Sequence, residues 1–123
     1  MVLVDTSVWI DHLHVGVPAL VDLLERDEVG CHPLVIEELA LGSVRRRDEM
    51  LELLSNLAAF PVLTHHEMRH FVDAQRLWGR GLSAVDAHLL GSVRLTGGAR
   101  LWTRDKRLLA ASKTIGVPVF YES

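Results

Sequence analysis

The sequence predicts an α/β protein whose short parallel strands are covered by helices on both faces. Two observations predict it. Val2 to Val4 is an apolar run too brief for a helix that leads straight into a helical pattern, and Arg100 to Thr103 repeats that design late in the chain. Between them, helix-period segments are punctuated by Gly and Pro, with no internal repeat and no low-complexity stretch.

Taken in order, the first strand ends at Asp5, and Val8, Trp9 and Leu13 mark the helix it feeds. A second helix runs from about Pro18 to Arg26 on Leu20, Leu23 and Leu24, and Gly30 punctuates its exit. Pro33 suits the first turn of the next helix, where a missing N–H costs nothing, and Gly42 suits its end. Residues 43–58 read as helical through Leu51, Leu54 and Leu57, and Phe60 to Leu63 as an edge strand entered through Pro61. Thr64 and Glu67 form a capping box for a helix whose Met68, Phe71, Gln75 and Trp78 share a face, stopped by Gly79 and Gly81. Ser83 and Asp86 repeat the device for a helix that ends at Gly97-Gly98. Asp105 to Ser112 is a last helix and Val117 to Phe120 a last short strand.

At 123 residues the chain is expected to form one domain, residues 1–123, and its 49% apolar and 24% charged residues are those of a globular protein. Met1 to Asp5 lack a basic stretch and meet a charge at once, which argues against a secretory signal, and no apolar run is long enough to span a bilayer. A single cysteine, Cys31, forms no intrachain disulfide, fits a reducing cytoplasm and reads as a small buried apolar residue. The net charge of -3 conceals an asymmetry: residues 1–68 carry -8 and residues 69–123 carry +5. Solvated helix faces explain that asymmetry; so does a basic surface beside an acidic pocket that acts on a polyanion, with Arg100, Arg104 and Arg107 as candidate phosphate contacts.

Four acidic positions stand inside apolar elements: Asp5, one of the Glu37-Glu38 pair, Asp86 and Asp105. Asp5 and Asp105 each follow a strand and open a helix, where ligands of open α/β sheets bind, and where an N-cap carboxylate also belongs. Asp86 shares helical spacing with Leu89, Leu90 and Val93, so its charge needs a partner on the core side. Brought together, these carboxylates repel one another, and a divalent cation with a preference for hard oxygen ligands, Mg²⁺ or Mn²⁺, is the natural compensation. Such a set reads as the site of a metal-dependent enzyme.

The ordered set Val4-Asp5-Thr6-Ser7-Val8-Trp9-Ile10, Glu38-Leu39-Ala40-Leu41-Gly42, Leu82-Ser83-Ala84-Val85-Asp86-Ala87 and Thr103-Arg104-Asp105 resembles the four acidic motifs of the PIN-domain family, and within it the VapC-type toxins of bacterial toxin–antitoxin pairs. The resemblance selects Glu38 over Glu37 by its spacing to Gly42. It implies a three-layer α/β/α sandwich with a central parallel sheet, Mg²⁺ or Mn²⁺ held by Asp5, Asp86, Glu38 and Asp105, cleavage of RNA, and an antitoxin partner. Asp5 and Asp86 are the expected direct ligands, and Thr103, Ser7 and Arg104 are candidates to orient water or phosphate. Leu108 departs from the family pattern, in which an aromatic residue often follows the last motif. The apolar faces of Leu20, Leu23 and Leu24 and of Leu51, Leu54 and Leu57 are candidates for antitoxin binding or for pairing two subunits.

Other classes compete. His66-Glu67-Met68-Arg69-His70 matches the His-Glu-x-x-His pattern of zinc metalloproteases, although Thr64 already accounts for Glu67 and no third ligand follows at the usual spacing. A receiver-type domain has similar length and architecture, but here Asp5 stands alone after the first strand. A fold that only binds RNA would not need all four acids.

Overall fold

The computed structural model describes residues 1–122. Its elements run β1 (Val2–Val4), α1 (Thr6–Val15), α2 (Pro18–Glu25), β2 (Val29–Cys31), α3 (Pro33–Leu41), α4 (Arg47–Ser55), β3 (Ala58–Ala59), α5 (His65–Gln75), α6 (Ala84–Arg94), β4 (Arg100–Trp102) and α7 (Lys106–Ile115). The strands form one parallel sheet in the order β3-β2-β1-β4. All three residues of β1 are fully buried, and because successive strand side chains point to opposite faces, both faces of the sheet are covered. That is the three-layer arrangement expected from the sequence.

The order places the candidate site residues. The chain winds outward from β1 through β2 to β3, then returns to lay β4 against the other side of β1, pairing Val2, Leu3 and Val4 with Arg100, Leu101 and Trp102. The crevice past the carboxyl ends of β1 and β4 is therefore the point where the strand order reverses, the usual ligand site of such sheets. Asp5 emerges there from β1 and Thr103 to Asp105 from β4.

Several elements differ from the sequence expectation. β2 is a strand where the sequence shows only a helix exit. Gly30, read as punctuation, is in the strand because the Phe60 ring fills the space a β-carbon would need. The edge strand is Ala58–Ala59 rather than Phe60 to Leu63. Phe60 adds one further bond, its N–H to the Cys31 carbonyl at 2.9 Å, before Pro61 ends the pairing. Helix α4 begins only at Arg47 because Arg46 takes a left-handed conformation, φ 51°. The last strand is reduced to a parallel bridge of Val119 to Leu101. Leu20, Leu23 and Leu54 are buried, with Leu24, Leu51 and Leu57 packed against them, so the two leucine faces build the core and are not free docking surfaces. Cys31 is a buried free thiol, pushed up to about 11 by burial.

Candidate active site at the carboxyl ends of β1 and β4

Asp5 occupies the N-cap position of α1 but its side chain makes no capping bond. Its Oδ2 instead accepts two hydroxyl protons, from Ser7 Oγ at 2.7 Å and from Thr103 Oγ1 at 2.8 Å. Each hydroxyl in turn accepts a backbone N–H, Ser7 from Arg104 at 3.2 Å and Thr103 from Asp105 at 3.0 Å. The loop after β4 thus delivers two donors through two hydroxyls onto one carboxylate oxygen. Oδ1 takes no hydrogen bond among the described residues and is not sealed from solvent, although Asp5 is only 5% exposed. A buried carboxylate with one oxygen locked and the other open is oriented for a ligand, and the capping explanation of Asp5 fails.

Asp86 does cap its helix. Its Oδ2 accepts the Ser83 N–H at 3.0 Å while Ser83 Oγ accepts the Asp86 N–H. The half-buried carboxyl is nonetheless raised above the usual aspartate range, chiefly by burial and further by the charges of Asp5 and Asp105, which outweigh the Ser83 bonds. Those causes put Asp5 and Asp105 in the neighbourhood of Asp86. Asp105 spends Oδ1 on the Arg107 and Leu108 N–H groups of α7, at 2.8 and 3.1 Å, leaving Oδ2 open. Capping and pocket roles therefore coexist in both residues. Thr6, next to Asp5, donates to Glu38 Oε1 at 2.7 Å, so geometry as well as motif spacing separates Glu38 from Glu37. Glu38 and Asp105 are exposed rather than inward, since each sits at a helix end on the rim of the crevice.

The donor set suits a hard divalent cation: carboxylate oxygens only, one open on each of Asp5, Glu38, Asp86 and Asp105, and mutual repulsion that a cation relieves. Among the described residues no three His, Cys, Asp or Glu side chains already stand at ligand spacing. An ion of the Mg²⁺ type is characteristically held by one or two carboxylates and several waters, so an open pocket of this kind still fits it.

The three hydroxyl and guanidinium candidates have other tasks. Thr103 is buried and Ser7 half-buried, and both are bound to Asp5, so they position a carboxylate rather than meet substrate. Arg104 is bound by Glu122 at 2.8 and 2.6 Å and by Asp11 at 2.9 Å, contacts that raise its basicity further and fasten the segment after Val119 to α1. Arg100 starts β4, at the opposite end of the sheet, with its guanidinium 5.1 Å from the centre of the Phe120 ring. Of the arginines proposed from sequence only Arg107 stands beside the acids. Arg47, the last of the three consecutive arginines Arg45 to Arg47, donates to the Ala40 carbonyl at the end of α3.

His32 was not legible as a core residue. It follows β2 at full burial, its Nδ1 accepting the Leu34 N–H as the cap of α3, and burial, with the neighbouring His88, pushes it down to about 4. The His66 and His70 pattern does not assemble: Glu67 accepts the Thr64 N–H at 2.8 Å, and no third ligand joins the exposed histidines among the described residues.

Acids gathered at the switch point of a covered parallel sheet define the class, an α/β protein with an acidic site at the carboxyl ends of its strands. The model of the PIN domain matches residues 2–113, and the chain belongs to the PIN-domain family. It is 65% identical to Ribonuclease VapC32 of Mycobacterium tuberculosis in strain CDC 1551 / Oshkosh and in strain ATCC 25618 / H37Rv, over 99% of this chain and 98% of that protein. The fold is similar to the crystal structure of PAE2754 from Pyrobaculum aerophilum, with a TM-score of 0.59 and 22% identity, covering 92% of this chain and 80% of that one. Family membership removes the receiver reading.

Proposed function

We propose that the chain is a Mg²⁺- or Mn²⁺-dependent endoribonuclease that serves as the toxin of a type II toxin–antitoxin pair in the cytoplasm. The observation that carries the chemistry is Asp5, buried, locked through Oδ2 and open at Oδ1, whose charge, with that of Asp105, is felt at Asp86. The 65% identity to a protein named a ribonuclease supports the substrate class. Asp5 and Asp86 would hold the cation directly, with Glu38 and Asp105 direct or through water; when bound, it supplies an activated water and charge neutralisation at the scissile phosphate. Ser7 and Thr103 keep Asp5 Oδ1 facing the crevice, Ser83 fixes Asp86, and Arg107 beside Asp105 offers a cation to the phosphate backbone.

An antitoxin is the proposed partner. An apolar groove lined by Ile10, Leu13, Leu39 and Val44 runs from Arg45 to Glu38 at the edge of the acid site, and Ile10 (46%) and Leu41 (90%) remain exposed beside it. An amphipathic segment laid there can place a basic side chain among the carboxylates. A homodimer belongs to the same proposal and is tested by the mass of the purified chain in solution. No helix of the described residues is long and apolar enough to cross a membrane.

The test is cleavage of structured RNA by purified protein with Mg²⁺ or Mn²⁺, its loss in chelator, and growth arrest on expression that a co-expressed antitoxin relieves. Harmless expression of a soluble, active protein would remove the toxin reading and leave the nuclease.

A further inference from the structure

Trp78 has no structural task. The sequence places it on the buried face of the Thr64-capped helix, but α5 ends at Gln75, Arg76 turns the chain at φ 53°, and Leu77 takes the inward place, its N–H bound to the Val72 carbonyl at 3.1 Å. Leu77 is 4% exposed and Trp78 is 64% exposed. A large apolar ring left open on a loop contributes little to folding and much to any partner that stacks on it.

The surroundings specify that partner. Trp78 lines a recess floored by Val72, Leu82 and Ala87 and closed by Ser83, the residue that caps α6 and holds Asp86. The same loop lies under Arg107: a β-carbon on Gly81 would stand 2.8 Å from its Nη1 and 2.9 Å from its Cδ, so the guanidinium stem crosses the backbone there. Arg107 is two residues from Asp105, and the loop is therefore bordered on both sides by acid-site elements. Between Ala74 and Val85 the chain carries Arg76 and Arg80 and no acid. Arg80 uses Nε on the Arg76 carbonyl at 3.0 Å, and among the described residues neither arginine, nor Arg107, has a carboxylate partner.

An exposed indole among unpaired guanidinium groups beside a phosphodiester-cleaving site has the composition of a single-stranded nucleic acid platform, in which cations follow the backbone and an aromatic face takes a base. A protein segment that brings a basic side chain to the acid pocket would be repelled by the same loop. We infer that Trp78 stacks on a base of the RNA substrate next to the scissile phosphate, with Arg80 and Arg107 on the adjoining phosphates. The inference rests on the ribonuclease reading above.

Trp9 and Trp102 are 0% and 1% exposed, so the quenchable part of the tryptophan emission belongs to Trp78. A single-stranded RNA of about 12 nucleotides, within the span of one such site, is titrated in chelator against wild type, Trp78→Phe and Trp78→Ala. RNA should quench the same fraction of wild-type emission that acrylamide reaches, and both effects should vanish in Trp78→Phe. Trp78→Ala should weaken binding about 5- to 150-fold, the range for one stacked base, with an unchanged melt, and Trp78→Phe should retain most of the affinity. With Mg²⁺ restored, the loss should fall on KM more than on kcat. If wild type cleaves RNA while Trp78→Ala binds and cleaves it equally well without quenching, the inference is overturned and the ribonuclease reading stands. Loss of antitoxin binding alone in Trp78→Ala would overturn it in favour of a protein contact. If wild type neither binds nor cleaves RNA, both readings fall.

Discussion

Replacing Thr103 with Val deletes one hydroxyl from a buried position at nearly constant volume, and the structure sets the size of the effect. Thr103 Oγ1 donates to Asp5 Oδ2 at 2.8 Å and accepts from the Asp105 N–H at 3.0 Å. A bond to a buried carboxylate contributes about 1.5–3 kcal/mol, whereas the part-buried Asp105 N–H loses a neutral acceptor and regains part of that loss from water. The first effect wins, and a net loss of about 2 kcal/mol lowers the melting temperature of a chain this size by roughly 5–12 °C. Asp5 keeps only Ser7 as its hydroxyl donor, and loosening a ligand in this way typically costs about 10- to 100-fold in metal affinity or activity. Melts with and without Mg²⁺, and RNA cleavage well below the melting range, measure the two consequences separately. Thr103→Ser keeps the hydroxyl and should restore both. A Val variant indistinguishable from wild type, or a Ser variant as damaged as Val, would refute the positioning role.

Asp86→Asn preserves an acceptor for the Ser83 N–H but removes the charge, so cleavage should drop by orders of magnitude in an intact fold. The native carboxyl is raised above its unfolded value, so ionisation costs stability as pH rises through that interval. Asn should therefore gain stability relative to wild type at neutral pH without metal, and lose that gain below the usual carboxylate range; a melt that falls at neutral pH would contradict the repulsion. His32 has the opposite sign: its folded value, lowered to about 4, makes stability fall as pH drops from about 6.5 toward 4, by at most about 1.4 kcal/mol per pH unit. His32→Asn, which keeps a capping acceptor, should flatten that slope in urea melts, and an unchanged slope would assign it elsewhere. Arg104→Met should cost about 1 kcal/mol or less, diminishing in salt, because its partners are partly exposed. It should also leave the salt dependence of RNA binding unchanged; a flatter slope would return Arg104 to the phosphate contacts. Changing both His66 and His70 to Gln should leave cleavage within a few-fold of wild type, and loss of all activity in a folded double variant would reinstate the histidine pair.

The sequence made the sheet's centre legible because β1 and the Leu101-Trp102 part of β4 are buried on both faces and so read as apolar runs. β2 and β3 escaped it for opposite reasons: Gly30 interrupts the first to admit Phe60, and the second is a pair of exposed alanines. The acids were visible as charges in apolar elements, yet periodicity reports a helix face and not depth. It therefore placed Asp86 well, whereas the apolar context of Glu38 and the strand-end position of Asp105 gave no measure of depth, and both are exposed. Ser7, Thr103 and Arg104 were found by motif but their tasks were not, because which oxygen each hydroxyl meets depends on bringing residues 97 and 98 positions apart into contact. Trp78 was misplaced because nothing in Arg76 announces a left-handed turn in a non-glycine residue.

The central claim, that Asp5 and its neighbouring acids bind a cation that drives RNA hydrolysis, is tested most directly by following one structured RNA with wild type and Asp5→Asn in parallel. Each protein is freed of metal with EDTA and then titrated with Mg²⁺ or Mn²⁺. Wild type should be silent in EDTA and recover with either ion, while Asp5→Asn stays folded and silent throughout. Wild-type cleavage that persists in excess EDTA, or an Asp5→Asn variant that cuts as fast as wild type, would contradict it.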